Sequence, residues 1–226
     1  MADIKQELDL EEQDEPAGKA GACESLSARL SGRKSQIEVG LGGVAQMTLG
    51  IIWYTIEARY LLAMALQISS ELPRWKLETA ETENARLELR RTMQTLLSQA
   101  RDEFRRLQAD LMHREEVDWL DKLGQRLLRN CFFEIAHTYY LLAGYSIGLG
   151  SENYDKAIVA YGSATNKYPR DPQVLLAYLQ MANCYDRLGK PADARSMLEQ
   201  AKVILKQMPD DVFASPTTNW TKQQWQ

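Results

Sequence analysis

The sequence predicts an all-α chain in which pairs of helices stack on one another, with a long charged helix ahead of the stack. Three observations carry this. Between Glu152 and Leu205 the pattern "YDKAIVAYGSA" is echoed by "PADARSMLEQA", with small residues at matching places. Ala157 and Ala194 lie 37 residues apart, as do Ala164 and Ala201. Between Leu89 and Leu111, apolar residues recur at steps of three and four along a segment otherwise rich in Glu and Arg.

Composition narrows the function classes. The chain has 226 residues, 45% apolar and 26% charged, which is an ordinary globular mixture and enough to bury a core without disulfides or metals. Its net charge is −4, and no Lys/Arg block of the kind a phosphate backbone attracts is present, so nucleic acid is not an expected partner. Cys23, Cys131 and Cys184 are odd in number, far apart and outside any CxxC or Cys/His spacing. No metal site and no cofactor is expected. The histidines are His113 and His137 only. Neither neighbours a nucleophile motif, and no phosphate loop or HExxH occurs. No catalytic residue is assigned, and the chain reads as not an enzyme.

Along the chain, residues 1 to 35 are acidic at first and then Gly-, Ser- and Ala-rich, the signature of a disordered tail. "MADIKQELDLEEQDEP" lacks the basic start and apolar run of a secretory signal, so the expected location is cytoplasmic, with envelope association left open. Residues 36 to 43 hold glycines and read as a loop. The stretch 39 to 56 is uncharged but glycine-broken, and barely of membrane-spanning length. From Val44 to Leu72, Ile52, Ile56, Tyr60, Leu62 and Leu66 recur at helical steps, and Pro73 is expected to end or kink that helix. Residues 74 to 112 form the charged helix, with Leu89, Met93, Leu96, Ala100, Phe104, Leu107 and Leu111 as a near-heptad seam containing one irregular step. Asp102 and Arg106 form an expected i,i+4 pair. A seam this narrow needs a partner helix, either from the same chain or from a second copy. A further helix is expected from Glu115 to Leu128, running toward another that starts near Asn130.

From residue 130 to 209 the chain resembles the tetratricopeptide repeat (TPR), a helix pair with large and small residues at set positions. In the first unit, Phe132, Ile135, Ala136 and Tyr139 stand at the signature places of helix A, and Ala157, Tyr161, Ala164 and Pro169 at those of helix B. In the second, Tyr178, Met181, Ala182 and Tyr185 fill helix A, while Ala194, Leu198 and Ala201 fill helix B and Pro209 closes it late. The small residues mark close approach of two backbones. The 37-residue spacing exceeds the usual period of about 34, and the extra residues fall in "YPRDPQV". This long form is similar to TPR modules of bacterial envelope proteins of the Tol–Pal accessory type. It is also similar to TPR proteins of planctomycete-type bacteria, which the tail "TTNW" resembles too. The first unit carries a longer connection, "LLAGYSIGLGSEN", expected as a surface loop with helix A prolonged into it.

The resemblance implies a right-handed α-α superhelix over 130–209. Because two clear units are fewer than a stable array usually needs, the helical segment at 44–129 is expected to cap it, and in the C-terminal tail at 210–226 the bulky Trp220 and Trp225 are expected to dock on the last helix. The resemblance also implies a non-catalytic scaffold that binds a protein or peptide on a concave face lined by helices A. The face positions are Phe133, His137 and Tyr140 in the first unit and Leu179, Asn183 and Arg187 in the second. Phe133 and Leu179 stand where relatives that clamp C-terminal carboxylates place a basic residue, so that clamp is not expected. The alternative is a structural protein forming a homodimer through the 89–111 seam.

Overall fold

The computed structural model describes residues 43–146, 150–214 and 221–225. The expected tail at 1–35, the loop at 36–43 (up to residue 42), Cys23, Trp220 and the "TTNW" segment lie outside the described residues. The helices are α1 (Gly43–Ser69), α2 (Glu71–Thr79), α3 (Glu83–Glu116), α4 (Lys122–Tyr145), α5 (Gly150–Lys167), α6 (Gln173–Arg187), α7 (Pro191–Gln207) and the short α8 (Lys222–Trp225). A 3-10 turn, Asp210–Ala214, follows α7. Among the described residues the fold is all-α, a helical solenoid with no strand. Two units are distinguished, 1–55 and 56–226, with the boundary inside α1. The second unit holds the later half of α1 and every helix after it. No described helix is long and apolar enough to cross a membrane.

Several boundaries differ from the sequence expectation, each for a local reason. The first helix ends at Ser69 rather than at Pro73. Pro73 lies in the first turn of α2, where a missing N–H costs nothing because first-turn amides have no intrahelical acceptor. The charged helix begins at Glu83, not at residue 74. Thr82 caps it by accepting a hydrogen bond from the Ala85 amide at 3.2 Å.

The expected helix from Glu115 to Leu128 is cut in two. α3 closes in a Schellman turn: the Trp119 amide donates to the Arg114 carbonyl and the Asp118 amide to the Glu115 carbonyl. Asp118 occupies the left-handed position, with φ +55°. Asp121 then caps α4 by accepting from the Gly124 amide at 2.8 Å, so the helix expected near Asn130 starts at Lys122. The same turn closes α6, with Gly189 at φ +71° in the left-handed place.

The seam of α3 is more regular than expected. Met93, Leu97, Ala100, Phe104, Leu107 and Leu111 are fully buried, at alternating steps of four and three. Leu97 holds the seam position, and Leu96 lies at its edge, half-buried. Within this fully buried run the steps alternate without exception, and the irregular step moves to Leu89–Met93–Leu97, where Leu89 is half-buried. α4 offers a matching row, Leu128, Cys131, Ile135, Thr138 and Leu142, all buried. α3 and α4 form a hairpin, tied by Gln94 Nε2 donating to the Tyr145 carbonyl at 2.9 Å and by Arg105 donating to Tyr139 Oη. The second half of α1 covers the other flank: Tyr60 meets Phe104 edge-on at 5.8 Å, and Arg59 pairs with Asp110. The expected Asp102–Arg106 pair is replaced by Arg101–Asp102 and Arg106–Glu103.

Across α4 and α5 the small residues Ala136, Ala157 and Ala164 are fully buried and lie in one cluster. Phe133, Tyr161, Val174, Leu175, Met181 and Cys184 join them in one cluster with α6. The long "YPRDP" spacer has its own work. Asp171 accepts from the Gln173 amide at the start of α6 and pairs with Arg129 of α4 at 3.0 Å, both side chains largely buried. Helix A of the first pair is indeed prolonged, α4 running to Tyr145.

Candidate interaction face

The six residues assigned to a binding face fall in three different surroundings. Phe133 is inside: it is 7% exposed, tilted against Tyr168 at 6.4 Å and part of the core cluster. His137 and Tyr140 sit on α4 beside α5. Their rings stack at 6.2 Å and 18°, and Tyr140 meets Tyr154 of α5 edge-on at 6.2 Å. His137 Nδ1 lies 3.4 Å from the hydroxyl of the buried Tyr161. On α6, Asn183 is exposed and donates to Gln180 Oε1, and Arg187 is exposed near Tyr154. Leu179 lies elsewhere, on the side of α6 that faces α7.

Coverage by the preceding helices explains part of this split. Asn130 donates to Tyr60 Oη, and Gln67 of α1 donates to Glu134 Oε2 at 3.0 Å. The row Asn130–Glu134 of α4 is therefore roofed by α1, and His137, next in that row, feels Glu71 at the start of α2. Burial lowers the His137 imidazole below its ordinary value, against the opposing pull of the Glu134 and Glu71 carboxylates. Burial therefore favours the neutral imidazole, which stacks as an aromatic plate on Tyr140. Burial also raises the Tyr154 phenol, with Arg187 pulling the other way. What stays open is a strip of Tyr140, Tyr154, Asn183 and Arg187, whose aromatic edges and amide can each take up a peptide group.

Tyr154 and Tyr161 escaped the sequence reading as partners of this face. Tyr154 sits three residues before Ala157, at the edge of the glycine-rich connection, and the signature place of Tyr161 points to packing alone. The other aromatics serve the frame. Tyr139 lies under the Arg101 guanidinium at 5.5 Å, and Phe132 packs edge-on against Tyr168 at 5.6 Å. Among the described residues no group of His, Cys, Asp and Glu gathers in a metal-holding arrangement. Cys131 and Cys184 are buried thiols.

Residues 149–211, which form the later part of this helical stack, match the family model of the tetratricopeptide repeat. The chain contains TPR sequence. The match spans α5, α6, α7 and the first residues of the 3-10 turn, that is, helix B of the first pair and the whole of the second. The α1–α4 region, including helix A of the first pair, lies outside it. No curated protein matches the chain.

Proposed function

We propose that the chain is a non-catalytic interaction module that binds a peptide or protein segment across Tyr140, Tyr154, Asn183 and Arg187. TPR units generally mediate protein–protein contacts, and the matched segment supports that class. The observation that carries the finer reading is the aromatic series His137–Tyr140–Tyr154, stacked at its first step and edge-on at its second, which runs from α4 to α5 and ends beside an exposed Asn and Arg on α6. Such a strip suits a segment with an apolar or aromatic anchor, and with a carbonyl or carboxylate for Arg187. Phe133 and Leu179 leave the proposed face, Phe133 because it is core and Leu179 because it borders a separate groove. His137 contributes from beneath, as support for Tyr140.

The homodimer alternative gains no support from the seam, where Met93, Leu97, Ala100, Phe104, Leu107 and Leu111 are fully buried within the single chain.

Selection from a random peptide display library tests the reading. Peptides enriched on the wild-type protein should be lost on Tyr140→Ala/Asn183→Ala/Arg187→Ala, with helicity and melting unchanged. Equal enrichment on both proteins would reject this face.

A further inference from the structure

The second helix pair has an open flank that the first pair does not. Shifting by the 37-residue helix-B spacing sets Leu198, Ala201 and Leu205 of α7 in the places of Tyr161 and Ala164 of α5 and of Tyr168 just after it. In the first pair these places lie against α6: Tyr161 and Ala164 belong to the cluster shared with Val174, Leu175 and Met181, and Tyr168 packs on it. Tyr161 is 3% exposed, whereas Leu198 is 40% exposed. No long helix covers the second pair among the described residues. A groove of about 620 Å³ runs there between α6 and α7, floored by Leu175, Leu179, Leu198 and Leu205.

Among the described residues, only α8 reaches it. Trp225 packs on the core cluster from that side, and α8 is tethered by Lys222 Nζ donating to the Met208 carbonyl at 2.6 Å and pairing with Asp210 at 2.9 Å. Four residues of helix fill a small part of a trough that extends along α7 from Arg195 to Lys206, about 16 Å at 1.5 Å per residue. The rim is basic: Arg195, Lys202 and Lys206 against Glu199.

We propose that this groove docks an amphipathic helix of about three turns from another protein, with an apolar stripe flanked by Asp and Glu. The chain contains the form of the occupant, since α6 fills the equivalent groove of the first pair. The rim sets the charge: three cations against one anion favour an acidic flank and disfavour a second copy bringing the same basic rim. Trp225 acts as a partial plug that such a helix displaces. The site is separate from the Tyr140–Arg187 strip, so either can fail alone.

Two labelled peptides serve as probes. Both carry the 15-residue α6 sequence. One has Gln173→Glu, Gln180→Glu and Asn183→Glu, and the other has Lys at those three positions. Fluorescence anisotropy with the full chain should show the acidic peptide binding at least about tenfold tighter at low salt. That preference should shrink as salt shortens the screening length to about 3 Å at 1 M. Lys202→Glu/Lys206→Glu, at exposed positions, should reverse the preference, and Trp225→Ala should tighten binding of the acidic peptide. Leu198→Glu should abolish it without changing the melt. Equal binding of both peptides, or binding indifferent to Leu198→Glu, overturns the proposal. So does a concentration-dependent dimer, seen by light scattering without peptide and lost in Leu198→Glu, which would give the groove to a second copy.

Discussion

Ala157 shows how much a single methyl-sized side chain decides. It is fully buried on α5, in the cluster it shares with Ala136 of α4. Ala157→Leu should destabilise the chain by about 1–3 kcal/mol, the range for overpacked cores, in a urea titration followed by circular dichroism. His137 makes a different prediction. Its folded-state pKa lies below the ordinary 6.5, so the unfolded chain binds the extra proton first as pH falls. The contribution to stability is complete above about pH 6.5 and is lost on acidification below it. Thermal melts between pH 7.5 and 5.5 should show a decline that His137→Gln makes shallower, and equal slopes would show that the imidazole is not held neutral. Burial also pushes the Cys184 thiol up to about 12 and the Cys131 thiol higher still. Both should resist a thiol reagent at neutral pH until the protein is unfolded.

At the scale of the element, the structure turns on how helices end. Gly189 was legible as a helix stop, because glycine alone enters the left-handed region without strain. Asp118 does the same at the end of α3, and aspartate signals it far more weakly than glycine would, because it enters the left-handed region only occasionally. Asp118→Gly should therefore stabilise the chain by about 1 kcal/mol, since the left-handed conformation costs an L-residue about 1–2 kcal/mol. A loss of stability would mean that the aspartate side chain matters more than the backbone. The seam gives a paired test. Leu97→Ala should cost about 2–5 kcal/mol, as for other fully buried leucines, and Leu96→Ala distinctly less. Two adjacent leucines satisfy helical spacing almost equally in one dimension. Only packing against α1 and α4 separates them.

For the molecule as a whole, the sequence by itself determined that this is an all-α chain with stacked helix pairs. Small residues at 37-residue spacing require close helix crossings, and such crossings need no information beyond the chain. It also determined that α3 needs covering, because a narrow apolar seam on a charged helix is not stable in water. Tertiary structure decided the rest. It chose α1 and α4 from the same chain to fill the seam, and it laid α1 over Asn130 and Glu134 of α4. It drew Phe133 into the core and left Leu179 on an open groove, although both hold the same position in their repeats. The physical reason is that repeat position fixes where a side chain points, whereas exposure depends on the neighbour it meets. Phe133 meets Tyr168 in a pair that α6 closes, and Leu179 borders a flank that, among the described residues, only the short α8 partly fills.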